Sequence, residues 1–576
     1  ALIVGEQLHL SLQYSGQPQQ AASIQRLAEA YLARVQQLIA VALTPRPHHC
    51  PYIPQDFPLL QISQEGLDRL WAQLAGKTLA PVAASAVLED LYALSGMQAG
   101  LLFHSQASGL YAEQLSFHIE GMLQVPALIE SWEQLLAAHP ILRTSFVGED
   151  VLAQAVWQKV SLPLRVIDAT QLSPQEQEDL VHAYYQADRR CGFVREQAPL
   201  LRLSVVRLGA QQHQLLWSFH HAILDGWSVS LLLQEFFARY QALTQGREAH
   251  LPASRPYRDY IAWLQQQDQQ AAGDFWRQLL KGLTAPTPLP LKAAHALSQP
   301  EAEPSYGQQK LQLRQAVSQS LQTVARSLHI TLNTLLQASW AYVLSRYSGQ
   351  DEVLFGMVVA GREAELVGVE SLVGLCINTV PVRIALPAQK TVAAWLRQLH
   401  DYLATVQRYS YYPLWQIQRL SELGAGQSLF QSILIFENYP VEHTLEQLQH
   451  TDLRLRQSLD EEMPERTNYA LTATVLPGKQ VELKVSYQQQ VLEAELVSRM
   501  LALWQQVLET LAQQPDQLVA DLPLLTEAER ALLLREWNAT QRLYPQSVGV
   551  HELFEQQAER QADAIALVQE EAHLSY

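Results

Sequence analysis

Along the chain, short runs in which apolar and polar residues alternate are interleaved with longer runs carrying an apolar residue every three to four positions. These are the periods of strand and helix. Alternation predicts strands at "LSFHIEG" (Leu115–Gly121), "LRLSVVRL" (Leu201–Leu208) and "HQLLWSFHH" (His213–His221). The helical period predicts helices at "GLDRLWAQLAG" (Gly66–Gly76), "VPALIESWEQLLAAHP" (Val125–Pro140) and "SVSLLLQEFFARYQAL" (Ser228–Leu243). A loop rich in Ala, Pro and Gln (Thr284–Ser305) follows. Beyond it the scheme repeats with a helix at Thr331–Gly349 and a strand at Asp351–Gly361. Strands and helices alternating on both sides of that loop indicate an α/β fold of two similar lobes.

The pattern also repeats over a longer distance. The stretch from Leu8 to Ala40 aligns without a gap on the stretch from Val481 to Gln513, placing Leu12 on Val485, Tyr14 on Tyr487, Ile24 on Val497, Leu27 on Met500 and Tyr31 on Trp504. Each copy reads as an alternating strand, a polar turn and an amphipathic helix. The first 45 residues are therefore expected to be the closing elements of a domain related to the one that ends near residue 515. The Pro-rich run "TPRPHHCPYIPQDFPL" (Thr44–Leu59) reads as a linker. Its adjacent His48, His49 and Cys50 lack the spacing and distant partners of a zinc site. Near the C-terminus, Leu522–Pro545 reads as a helix flanked by prolines, and residues 546–576 as the opening of a further domain.

Composition narrows the picture. With 576 residues and 48% hydrophobic residues, the chain can bury several cores. A net charge of −17 without a basic stripe argues against nucleic acid or anionic lipid as a partner. Three widely spaced cysteines suit a reducing, cytoplasmic setting better than a disulfide framework.

The candidate chemistry lies in "SFHHAILDGWSVS" (Ser218–Ser230), a strand, a turn and a helix start. Neighbours on a strand face opposite ways, so His220 and His221 cannot act together as an acid–base pair. His221, at the turn, is the candidate for chemistry, and His220 for packing or orientation. Asp225 follows, and Gly226 is expected to give the backbone freedom before the helix. The stretch lacks the second ligand of an H-E-x-x-H zinc site, and the chain has no G-x-S-x-G nucleophile elbow. A histidine without a partner nucleophile suits transfer between two delivered substrates.

"HHAILDGWS" resembles the HHxxxDG signature of condensation domains in nonribosomal peptide synthetases. "LYALSGMQAGLLFHS" resembles their opening motif and "HPILRTSF" (His139–Phe146) their second. Val358–Ile384, Tyr411–Gln418 and Ser428–Pro440 resemble the later ones in order, so the resemblance covers about Leu88 to Leu525. It departs at Gln431, where the family carries Asp, and at Ala93 and Gly96, which replace a Pro pair.

The resemblance implies two chloramphenicol-acetyltransferase-like lobes arranged as a V, residues 88–283 and 284–525, with a tunnel ending at His221. Residues 526–545 would link to an adenylation domain opening at 546–576. Residues 1–59 resemble the tail and exit linker of an epimerisation domain, with a linker helix in 60–87. The opening motif is similar to the subtype taking a D-configured donor. The implied reaction is attack of an acceptor amine on a donor thioester, with both substrates on 4'-phosphopantetheine arms of separate carrier proteins. No cofactor attached to this chain is expected, since no "GGHS"-like carrier serine occurs. His221 would take the amine proton or stabilise the intermediate, with the Gly226 N–H at the oxyanion. Asp225 would be structural, paired with Arg362 as first candidate or Arg143 as second. Trp227, Asn378 and Ser432 are candidates for the tunnel wall. An epimerisation domain is the alternative; it shares the two histidines but continues "DGVSW", whereas Trp227 directly follows Gly226 here. A non-catalytic carrier-docking module is another.

Overall fold

The computed structural model describes residues 2–4, 7–9, 18–43, 50–77, 87–105, 111–148, 151–292, 305–362, 365–424, 427–437, 453–457, 466–543 and 546–576. The alternating segments form strands Ala112–Glu120, Gln212–His220 and Leu201–Arg207, antiparallel neighbours with the His220 strand between the other two. Leu164–Asp168 and Arg454–Gln457 complete a five-stranded sheet at its two edges. The period-two pattern of the His220 strand sorts its side chains. Leu215, Trp217 and Phe219 join the core with helices Val125–Ala138 and Gly226–Thr244. Leu216 and Ser218 face helix Pro174–Cys191, where Ser218 donates to Asp188.

The second lobe is a six-stranded sheet in the order 306–312, 482–488, 471–476, 432–436, 352–359 and 378–385. Helices Leu332–Ser348 and Ala494–Gln513 cover it, with Trp340 and Trp504 packed 4.8 Å apart between them.

The lobes are not two consecutive segments. Helix Gln269–Leu280 already buries Ala272, Trp276 and Leu280 in the second core, so the chain changes lobe before Thr284. Leu372, Val373 and Cys376 return to the first core, and strand Arg454–Gln457 pairs with Ala112–Glu120. Apolar burial decides these crossings, and a loop-rich boundary does not reveal it. The expected linkers are likewise packed where they are described: Cys50, Phe57, Leu60, Leu67 and Leu70 form one core with the three-stranded sheet of Leu88–Ala93, Ala153–Trp157 and Thr144–Val147.

The long-range repeat is visible in the described parts. Hairpin Leu2–Val4/Gln7–His9 and helix Pro18–Leu43 correspond to hairpin Leu471–Leu476/Glu482–Gln488 and helix Ala494–Gln513. Leu12, Tyr14, His48 and His49 lie outside the described residues. The expected single helix in 522–545 is a short helix, Glu527–Ala531, continued by a π turn over Leu532–Glu536. Among the described residues, no helix is long and apolar enough to cross a membrane.

Where the chain returns to the first lobe, two backbones touch. Gly361 has φ +65°, and a Cβ there would lie 1.9 Å from the Cys376 carbonyl oxygen, a backbone atom that cannot swing aside. Gly361→Ala is expected to lower the free energy of unfolding by about 1–3 kcal/mol or more. Equilibrium denaturation of the two proteins checks this, and equal stabilities would contradict the packing described.

Candidate active site

Strand Gln212–His220 ends at His220, and a turn carries the chain from His221 to Asp225, the N-cap of helix Gly226–Thr244. The helix begins two residues before the start its apolar period indicates. A side-chain cap causes the difference: Asp225 accepts the Ser228 N–H at 2.9 Å, satisfying one of the amides a first turn leaves unpaired. Gly226 is therefore the first helical residue, and its φ is not in the left-handed region. The expected need for glycine's backbone freedom is corrected accordingly.

The two histidine rings have complementary proton arrangements. His220 is buried, and its Nδ1 accepts the Ala222 N–H at 3.0 Å, which leaves the proton on Nε2. Burial, and then the neighbouring His221, push its pKa down to about 4, so the ring is neutral at pH 7. His221 is half-buried, and its backbone N–H donates to the Tyr111 carbonyl at 2.8 Å. Its Nδ1 lies 2.7 Å from the Leu224 carbonyl oxygen. A carbonyl only accepts, so Nδ1 carries a proton, and in the neutral ring Nε2 is the nitrogen left with a lone pair.

Beneath the turn sits an ion pair that ties the lobes together. Arg362, just after strand Glu352–Val359, donates to Asp225 Oδ2 at 2.6 Å, with the Asp225 side chain fully buried. The Cys376 N–H donates to the same oxygen at 2.9 Å. Arg362 also donates to Ser228 Oγ and to the Leu372 and Gly374 carbonyls. Burial alone would raise the Asp225 carboxyl. The Arg362 charge and hydrogen bond, with the Cys376 and Ser228 amides, outweigh it and hold the carboxyl below the ordinary carboxylate range.

Other candidates are placed differently. Arg143 is nowhere near Asp225. It donates to Glu89, the Leu136 carbonyl and the Trp157 carbonyl, so it braces the first lobe instead. Trp227 donates from Nε1 to the Glu370 carbonyl at 2.8 Å, adding a bond to the segment that carries Leu372 and Gly374. Asn378 is buried and donates to the Ser410 and Tyr412 carbonyls. Ser432 is buried and accepts the Trp340 indole N–H within the second core. Both side chains are engaged by these contacts inside the second lobe.

Several site residues lie inside the quoted motifs but were not singled out there. Gln98 is fully buried and donates to the Ala222 carbonyl and to Gln154. Ser228 and Cys376 complete the shell around Asp225. The signal for Gln98 was a glutamine inside the apolar run "SGMQAGLL". The Tyr111 carbonyl and the Cys376 amide meet the site through the backbone, and such contacts left no signal in the sequence. Among the described residues, no group of three His, Cys, Asp or Glu side chains could hold a metal.

Asp225→Ala is expected to destabilise the protein by about 3–5 kcal/mol, because it leaves Arg362 buried and unpaired. Asp225→Ala/Arg362→Met should recover part of that loss in denaturant unfolding. A single variant as stable as the parent would contradict the pair. His220 yields a pH prediction. Its folded pKa of about 4 lies below the ordinary 6.5, so its stabilising contribution is complete above pH 6.5 and is lost as the pH falls toward 4. Unfolding free energy should fall across that window, and less steeply in His220→Gln; identical slopes would contradict it.

The family model described as a condensation domain matches residues 88–534. The chain is 38% identical over 581 residues to one of the linear gramicidin synthase polypeptides of Brevibacillus parabrevis, covering all of this chain and 7% of that protein. It thus spans a small fraction of that relative's length. The X-domain from teicoplanin biosynthesis shares the fold with a TM-score of 0.64 at 21% identity, over 75% of this chain and 97% of that one. Holo-AB3403, a four-domain nonribosomal peptide synthetase bound to AMP and glycine, does so with a TM-score of 0.67 at 18% identity, over 86% of this chain and 38% of that one. The chain carrying this histidine turn belongs to the condensation-domain family of nonribosomal peptide synthetases, whose reaction is amide-bond formation.

Proposed function

We propose that this chain joins an acceptor aminoacyl group to a donor peptidyl group, each delivered as a thioester on the 4'-phosphopantetheine arm of a separate carrier protein, in the cytoplasm. The observation that carries the reading is the His221 ring, half-buried, with Nδ1 engaged by Leu224 and Nε2 without a hydrogen-bond partner among the described residues. The acceptor amine attacks the thioester carbonyl, and a tetrahedral intermediate forms. As the C–S bond breaks and the amide forms, the amine proton passes to His221 Nε2 and from there to the departing thiolate. The Gly226 N–H, at the first helical position and partly exposed, suits the developing oxyanion. Asp225 and Arg362 hold the turn and do not touch substrate. The arms are substrate carriage and stay attached to their carriers.

The donor is proposed to be D-configured. The likeness of the opening motif "LYALSGMQAGLLFHS" to that of the D-donor subtype supports this, and so does the likeness of residues 1–59 to the end of an epimerisation domain. Residues 1–59 are proposed as the end of an epimerisation domain with its exit linker, and residues 546–576 as the opening of an adenylation domain. An unpaired apolar row supports the first. Leu27, Tyr31 and Leu38 are 58%, 56% and 65% exposed, whereas their counterparts Met500, Trp504 and Leu511 are fully buried. Leu567, Val568 and Leu574 at the other end are similarly exposed.

With loaded carrier pairs, His221→Ala is expected to slow peptide formation by about 10²–10⁴-fold at unchanged stability. Product formed at the parental rate would remove the proposed role. Donor carriers loaded with D- or L-residues should yield product preferentially from the D form, and a preference for the L form would overturn that assignment.

A further inference from the structure

Tyr111 lies outside every motif, yet it is bonded to the working turn and to the opposite lobe. Its carbonyl accepts the His221 N–H at 2.8 Å, one rung beyond the Ala112–His220 pair that ends the strand ladder. Its side chain is buried against Leu101, Leu375 and Ile377. Its hydroxyl donates to Asn468 Oδ1 at 2.6 Å. Asn468 lies three residues before strand Leu471–Leu476 of the six-stranded sheet, and the next residue, Tyr469, stacks on Phe430 of the second core. The chain Asn468–Tyr111–His221 therefore runs from the second lobe to the backbone of the turn.

The conformation of Tyr111 supports a demand beyond packing. Its φ is +67°, in the left-handed region that a bulky residue adopts only at a cost of about 1–3 kcal/mol. In this conformation the residue both continues the ladder to His221 through its carbonyl and reaches Asn468 through its hydroxyl. The Asp225–Arg362 pair ties the turn to the second lobe at its helix end. Tyr111–Asn468 does so at its strand end. With both ends tied, a shift of one lobe against the other must move the His221 backbone or break a bond.

We propose that Tyr111 is a positioning residue for peptide-bond formation, coupling the placement of His221 to the second lobe through Asn468. The inference rests on the proposed role of His221. Without the hydroxyl, the turn keeps its fold but His221 samples orientations in which Nε2 misses the acceptor amine. The rate of the chemical step should then fall while carrier affinity is retained.

The test uses Tyr111→Phe, Asn468→Ala and the double variant in the full chain, with loaded carrier pairs in single-turnover reactions and His221→Ala alongside. Each single variant is expected to lower the rate constant about tenfold, the size of one buried hydrogen bond, with KM for the carriers unchanged and the thermal midpoint lowered by no more than a few degrees. The double variant should be no slower than the slower single one, because both remove the same contact. A parental rate constant in Tyr111→Phe would overturn the proposal. So would a reduced amplitude at parental rate, which marks misfolded protein, or losses that multiply in the double variant. If His221→Ala is slow while Tyr111→Phe is not, only the coupling fails. If His221→Ala keeps the parental rate, the proposed reading of the turn fails.

Discussion

The buried contact between Asp225 and Arg362 governs the placement of everything around the site. Neither charge reaches solvent, so each requires the other, and each is completed by neighbours: the Ser228 and Cys376 amides on the carboxylate, the Leu372 and Gly374 carbonyls on the guanidinium. The carboxylate belongs to the first lobe and the guanidinium follows a strand of the second. The pair therefore fixes three things at once: where the helix after the turn begins, how residues 372–376 cross into the first core, and the height of His221 above both. Gly361 and Gly374 permit the crossing, because at each a Cβ would strike a neighbour at about 2 Å.

On that base the two histidines are differentiated by what each Nδ1 meets. A backbone amide gives His220 a proton-free Nδ1, and burial keeps its ring neutral. A backbone carbonyl gives His221 a protonated Nδ1 and leaves Nε2 without a hydrogen-bond partner among the described residues. No carboxylate performs this orientation among the described contacts of the His221 ring; main-chain atoms do it. The turn's geometry, and so the ion pair beneath it, thereby sets the tautomer on which the proposed chemistry depends.

Much of this was legible from periodicity. Strands at 201–207 and 212–220, and the helix that follows, arise where side-chain alternation and the helical period predict them, and alternation alone separates His220 from His221. Helix starts were off where a polar side chain supplied the cap, as Asp225 does. Relations between distant residues were not legible. Nothing local says that Arg143 braces Glu89 while Arg362 meets Asp225, or that Asn378 and Ser432 are consumed by packing. The lobe boundary failed for a related reason. Trp276 reads as part of one amphipathic helix among several, and only the assembled core shows which sheet it covers.

The central claim is that the turn held by Asp225 and Arg362 presents His221 with a proton on Nδ1 and a bare Nε2. Nitrogen-15 NMR of the His221 ring, assigned by comparison with His221→Ala, measures this directly at a pH where the ring is neutral. The account predicts an Nδ1–H resonance with a pyridine-like Nε2 shift. A pyridine-like Nδ1 with the proton on Nε2 would contradict it.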